Sequence, residues 1–228
     1  GFGHRMVRTQ VLGDFMDYER MDEGEVLFES DGNEAYAKMR LMTVWSKLYR
    51  RSFLAEHNIR FKPVVSEDEV FNVEVFWWNP SLVRMTSCNA YRFEQGNPNA
   101  IMKTRDRQRV LVQLKDHLYN LGVMNQYMMA EDQNLLHGVR RTLNTVLHNF
   151  YKKALSISLT RQEWNRYNMR RKSLLINQID TKDEVSTLRK LVARLYNASG
   201  HSYESYLLVR FLCQLLPPQL FLPLSVGG

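Results

Sequence analysis

The pattern of apolar and polar positions along the chain changes character near residue 100. Residues 1–31 scatter acidic and apolar residues without a period, which predicts irregular or edge structure. Helical spacing follows in three segments, at residues 33–42, 46–57 and 67–79. The third segment is apolar on almost every face, so we expect a buried helix there.

Two signals complete the prediction for this first region. Ser66 and Glu69 have the spacing of a capping box, in which each side chain bonds the backbone amide of the other residue, so a helix is predicted to begin at Glu67. Segments 82–86 and 89–93 are rich in β-branched and aromatic residues, and they predict two short strands. Residues 1–98 are therefore predicted to mix helix and strand.

A turn-forming segment at residues 96–99 separates this region from one with only helical periods. The predicted helices span residues 101–120, 124–155, 160–175, 182–198 and 202–216. Two of them carry long apolar stripes that predict core faces: Leu111, Leu114, Leu118 and Leu121, and Leu136, Val139, Leu143, Val146, Leu147 and Phe150. The fold class is therefore predicted as α+β but mostly α, with residues 99–228 forming a helical bundle.

Charge and cysteine content narrow the functional classes. The formal net charge is +7, but residues 1–100 hold 12 Lys and Arg against 15 Asp and Glu, whereas residues 101–228 hold 19 against 9. The second predicted domain, residues 99–228, is therefore basic, and we expect it to have an electrostatic role. Cys88 and Cys213 lie far apart in the sequence, which argues against a disulfide framework and suits the reducing cytoplasm.

Glu67 and Asp68 open the predicted buried helix, and their position allows two interpretations. Acids are common in a first helical turn, because they offset the helix dipole. A carboxylate held on a rigid helix could also remove a proton from a substrate hydroxyl. The residue pattern alone leaves both interpretations open.

An ordered set of residues around these acids resembles the acceptor-side half of family 2 glycosyltransferases. The set comprises Trp45, residues 47–51, Phe53 and Leu54, residues 58–61, Glu67, Asp68, Phe71 and residues 91–93. The resemblance covers residues 33–95, and it implies that residues 1–98 are the acceptor-side part of a GT-A-like nucleotide-diphospho-sugar transferase fold. By the same resemblance Asp68 is the catalytic base, and Glu67 positions it or contacts the acceptor.

The resemblance also implies a reaction and a substrate-binding set. A sugar would pass with inversion from a nucleotide-diphospho-sugar to a glycan or lipid-linked acceptor in polysaccharide biosynthesis, at the cytoplasmic face of the membrane. The implied substrate-binding residues are Trp45, Lys47, Arg50 and Arg51. A cation beside the diphosphate would stabilise the charge that develops on the leaving group.

Two family features are missing from the sequence. There is no Asp-x-Asp motif to hold a divalent metal, and no glycine-rich phosphate loop. We therefore expect a fragment that lacks the N-terminal nucleotide-binding segment and is inactive alone, with Mg²⁺ or Mn²⁺ bound only by an intact enzyme. No metal site is predicted within the chain, because His117, His137 and His148 form no ligand pair.

The alternative is a non-catalytic helical module that binds through basic clusters of the second domain. These clusters are Arg140 with Arg141, Lys152 with Lys153, residues 170–172, and Arg189 with Lys190. Such clusters can be a solvated surface, or they can attract an anionic membrane or a nucleic acid. The membrane is favoured over nucleic acid, because no nucleic-acid-binding motif is recognisable and residues 206–224 form an apolar tract.

Overall fold

The computed structural model describes residues 25–29, 32–38, 44, 48–80, 82–86, 106–174, 178–180 and 187–215. This part of the chain is mostly helical, which confirms the mostly α character of the predicted fold class. The helices are α1 (Gly32–Lys38), α2 (Arg51–Glu56), α3 (Glu67–Trp77), α4 (Arg107–Asn125), α5 (Gln133–Ser156), α6 (Arg161–Lys172), α7 (Thr187–Ser199) and α8 (Tyr203–Leu215), with a 3-10 helix at Gln126–Met129.

Two short strands form an antiparallel pair. Strand β1 (Glu25–Glu29) runs alongside β2 (Leu82–Thr86), with Leu27 opposite Arg84. Strand β2 coincides with the predicted strand at 82–86, whereas the predicted strand at 89–93 lies outside the described residues. The pairing brings the segment before α1 next to the segment after α3.

Four described helices begin with side-chain caps that the hydrogen-bond rules for helix ends explain, and at the start of α8 the cap is Ser202, which accepts from the amide of Ser205. Asp106 accepts from the amide of Arg109 at the start of α4, and Asp132 accepts from the amide of Leu135 at the start of α5. Helix α6 begins with a capping box between Thr160 and Glu163. Each cap satisfies amides that have no partner within the helix.

The start of α3 differs from its prediction. Ser66 makes no side-chain cap hydrogen bond and has a left-handed backbone, with φ 60° and ψ 39°. The predicted capping box with Glu69 is therefore wrong, although the helix itself begins at Glu67 as predicted. The predicted helix at 46–57 is also too long among the described residues, because residues 48–50 are extended and α2 begins only at Arg51.

The core joins helices from both sides of residue 98. Helices α1 and α3 pack against α4 and α5, and the stripe predicted on α5 is fully buried. Tyr36 of α1 stacks on Phe76 of α3, with 4.7 Å between ring centroids, and its hydroxyl lies 2.7 Å from Thr142 Oγ1 of α5. Gly138 makes this contact possible, because a Cβ there would lie 2.3 Å from Cδ1 of Tyr36. The division into two domains at 98 and 99 stays a prediction.

Helices α7 and α8 pack against α5, and α6 packs against α4 and α8. Tyr206 of α8 is buried, and its ring stacks on Trp164 of α6 with 4.7 Å between centroids. Its hydroxyl donates to the Ile157 carbonyl at 2.7 Å and accepts from the Leu159 amide at 3.0 Å. Within the described ranges, no helix combines the length and the apolar character that crossing a bilayer requires.

Candidate functional site

The first turn of α3 carries three consecutive acids with different surroundings. Glu67 and Asp68 are partly exposed, whereas Glu69 is turned into the core and is only 5% exposed. The segment that enters the helix is held by α4, because Asn120 Nδ2 donates to the carbonyls of Val65 and Ser66 at 3.1 and 3.0 Å. This clamp explains how Ser66 keeps a backbone conformation that is rare for a residue with a Cβ.

Three aromatic residues, Tyr49, Phe61 and Phe71, come together beside this turn. Tyr49 donates its hydroxyl to Asn72 Oδ1 at 2.9 Å, and Asn72 Nδ2 donates to the Asp68 carbonyl at 2.9 Å. Phe71 packs between Tyr49, edge-on at 5.1 Å, and Phe61, stacked at 4.2 Å. The backbone of Asp68 is thus fixed by a side chain one turn later, which is in turn fixed by Tyr49.

The pKa of the Tyr49 hydroxyl responds to the negative charge of Asp68. Burial raises the pKa of the Tyr49 hydroxyl, and the negative charge of Asp68 raises it further. Such an effect requires the two side chains to be near each other. Asp68 therefore lies close to Tyr49 in the fold.

Glu69 is a functional candidate that sequence reasoning missed. Burial raises its pKa well above the ordinary value, and the neighbouring charge of Asp68 adds to this, while side-chain hydrogen bonds from Asn120 and Asn149 oppose it. Its Oε2 atom has no hydrogen-bond partner among the described residues. Glu69 therefore keeps its proton to a higher pH than an ordinary glutamate.

A row of buried polar side chains continues from Glu69 along α4. Gln113, His117 and Asn120 are spaced four and three residues apart, so they share one face of the helix. Burial, together with the charge of Lys153 on α5, lowers the pKa of His117 to about 4. Neither ring nitrogen of His117 has a partner in the described part of the chain, so this imidazole is neutral and buried. The spacing of these three residues was the only sequence signal for the row.

The four predicted substrate-binding residues add nothing to this turn that the structure describes. Trp45 and Lys47 lie outside the described residues, and Arg50 and Arg51 are exposed beside α2. The described ranges contain no group of three or more His, Cys, Asp or Glu side chains that could hold a metal ion. The residues present therefore do not fit the divalent metal that the resemblance implies for an intact enzyme.

Two arginines of the predicted basic clusters bind helix ends instead of facing solvent. Arg141 donates to the carbonyls of Ala37 and Tyr36 at 2.8 and 2.7 Å, which satisfies the last turn of α1. Arg171 is buried, donates to Asn168 Oδ1 and the Gly200 carbonyl, and lies over the ring of Tyr151. Both arginines therefore have structural roles, while Arg140, Arg166, Arg170 and Lys172 are exposed.

Known proteins offer no further guide to this site. Comparisons of the chain with protein-family models, curated proteins and solved structures found no match.

Proposed function

We propose that this chain is the acceptor-side part of an inverting, family 2-like glycosyltransferase. The observation that carries the proposal is the convergence of Tyr49, Phe61, Phe71 and Asn72 on the first turn of α3, where Asp68 stands. These residues are separated in the sequence, and the resemblance names all of them except Asn72. Their contacts support the proposal, because residues that the resemblance names pack together beside the proposed base.

In this proposal Asp68 removes the proton of an acceptor hydroxyl while the hydroxyl oxygen attacks the anomeric carbon of the donor. The bond from that carbon to the diphosphate breaks, and the nucleoside diphosphate leaves from the opposite face of the sugar. The hydrogen bond from Asn72 to the Asp68 carbonyl supports this role, since a base must be held within hydrogen-bond reach of the proton that it removes. Glu67, one residue earlier and also partly exposed, is proposed to contact the acceptor.

The proposal covers the acceptor side only. Nothing among the described residues offers ligands for a divalent metal, so donor binding and its metal are not assigned to them. Glu69 is not proposed as the base, because its carboxyl is buried out of contact with solvent and burial raises its pKa. In the proposal Glu69 belongs to the row of buried polar side chains that it forms with Gln113, His117 and Asn120.

The experiment that tests the proposal replaces Asp68 with Asn. The protein from the complete reading frame would be assayed for sugar transfer with a panel of nucleotide-diphospho-sugars. Loss of a general base lowers the rate by about 10²- to 10⁴-fold, so Asp68→Asn should lose activity to that extent while Tm changes little. Glu56→Gln, an exposed acid at the end of α2, is the matched control and should keep full activity. Near-normal transfer by Asp68→Asn would contradict the assignment of the base.

A further inference from the structure

Helix α8 presents a large apolar face to solvent. Four of its side chains are strongly exposed: Leu207 (41%), Leu208 (59%), Phe211 (57%) and Leu215 (66%). Leu208, Phe211 and Leu215 are spaced by three and four residues, so they form one stripe along the helix. Single exposed apolar side chains are ordinary, but a contiguous stripe of this kind marks an interaction surface.

The stripe is held firmly in place from the opposite side of the helix. Tyr206 and Val209 are buried, and the Tyr206 hydroxyl is bonded to the backbone at both Ile157 and Leu159. Arg210 donates from Nε to the same Ile157 carbonyl at 3.0 Å. These bonds fix the rotation of α8, so its leucines cannot turn inward without breaking buried hydrogen bonds.

The neighbouring helix extends this surface. Helices α7 and α8 pack together across the short turn at residues 200–202, so Leu191 belongs to the helix next to the stripe. Leu191 is 51% exposed, and Arg194 lies one turn further along the exposed side of α7. The apolar surface therefore has a cation at its border.

The charge around the stripe is strongly positive. Helices α6, α7 and α8 together contain two acids, Glu163 and Glu204, against nine basic residues: Arg161, Arg166, Arg170, Arg171, Lys172, Arg189, Lys190, Arg194 and Arg210. Both acids are paired with arginines, Glu163 with Arg107 and Glu204 with Arg161, each at 2.6 Å. These three helices therefore carry a net positive charge, to which Arg166, Arg170, Lys172 and Arg194 contribute as exposed cations.

We propose that the apolar face of α8, with Leu191 and Arg194 of α7, docks on an anionic lipid surface. Leucine and phenylalanine side chains enter the boundary between lipid headgroups and acyl chains, while the surrounding cations are attracted to the anionic headgroups. A second copy of the chain would bring two strongly positive surfaces together, which opposes self-association. A nucleic acid would use the cations but not the leucines. This inference does not depend on Asp68 being a catalytic base.

The test is flotation with vesicles of phosphatidylcholine alone and vesicles that contain phosphatidylcholine and phosphatidylglycerol in equal parts. The chain should bind the anionic vesicles more tightly, and added salt should weaken this binding without abolishing it, because the apolar part persists. The double variant Leu208→Ser with Phe211→Ser should lower the partition coefficient about tenfold or more. Arg194→Gln should lower it about fivefold.

The control is Leu48→Ser with Val112→Ser, two exposed apolar residues on other elements, which should bind as the wild type does. All variants should keep the wild-type Tm, since the altered side chains are exposed. The proposal is overturned if the wild type does not bind anionic vesicles, or if the control variant loses binding equally. It is also overturned if sedimentation shows a dimer that the α8 variant dissociates, or if the chain binds duplex DNA in a salt-sensitive way instead of vesicles.

Discussion

The first turn of α3 and the outer face of α8 depart from the usual pattern of burial in opposite directions. At α3 a carboxyl group lies inside the protein, with Oε2 of Glu69 unpartnered within the described ranges. At α8 four large apolar side chains lie outside it. An unsatisfied buried acceptor costs about 1–3 kcal/mol, and exposed leucines forgo the stabilisation that burial would give. Neither the buried carboxyl of Glu69 nor the exposed apolar face of α8 therefore adds to the stability of the fold.

Hydrogen bonds to neighbouring elements hold both regions in place. The buried carboxyl at α3 and the exposed apolar side chains at α8 are therefore features of the fold. Asn120 clamps the backbone before α3, and Tyr206 fixes α8 against the loop that follows α5. The unusual positions are therefore not a result of loose packing. The buried Glu69 of α3 directly follows Asp68, the proposed base, whereas a broad apolar face such as that of α8 suits contact with another surface. The comparison thus separates a candidate reaction site from a candidate docking site.

The largest effect should come from making the same substitution in each region. Phe71→Ala removes a buried ring of α3 that packs between Tyr49 and Phe61, and it should cost about 3–5 kcal/mol of unfolding free energy. Phe211→Ala on α8 removes an exposed ring and should change that free energy by less than about 0.5 kcal/mol. Urea unfolding of both variants measures the two values. Equal losses would show that the face of α8 is covered in solution.

Glu69→Gln should sharpen the assignment of the buried carboxyl. Because burial raises the pKa of Glu69 in the folded state, its contribution to stability is complete below the unfolded-state pKa. That contribution is lost as the pH rises from there towards the folded-state pKa. The glutamine variant avoids this loss, so its Tm should exceed that of the wild type at pH 8 by about 2–4 °C and should match it near pH 4.

The control for this prediction is Glu67→Gln, which changes a partly exposed carboxyl two residues earlier in the same turn. Because this carboxyl is not buried in the core, Glu67→Gln should not reproduce the gain in Tm at pH 8 that Glu69→Gln gives. A pH-independent difference for Glu69→Gln would mean that its carboxyl reaches solvent.

The smallest effect should come from the hydrogen bond that organises the turn. Tyr49→Phe removes the donor to Asn72 Oδ1, and it should cost about 0.5–1.5 kcal/mol of unfolding free energy. Tyr119→Phe, on an exposed part of α4, is the matched control and should be close to neutral. If Asp68 is the base, Tyr49→Phe should also lower transfer activity, because Asn72 would no longer be held against the Asp68 backbone. Unfolding and transfer assays on the same samples test both effects.

The presence of most helices was predictable, because it depends on local periodicity, but the predicted start of a helix at residue 124 is wrong, since α5 begins at Gln133. The apolar stripe on α5 and the buried face of α3 follow from the spacing of apolar residues, and the structure confirms both. The start of α3 was predicted correctly for the wrong reason. The sequence around Ser66 and Glu69 matched a capping box, yet the box that forms is the one between Thr160 and Glu163. Ser66 with Glu69 and Thr160 with Glu163 have the same spacing but form different hydrogen bonds, because the Glu69 side chain is buried in the core whereas Glu163 lies near the surface.

The sequence by itself determined the helical character of the chain, the two core stripes and the uneven charge. Only the tertiary structure decided that Glu69 points inward, that Arg141 and Arg171 bind helix ends, and that the apolar side of α8 faces solvent. Periodicity fixes which residues share a face of a helix, but not what that face packs against. Whether an apolar face is covered, or a charged group is buried, depends on contacts between residues far apart in the sequence.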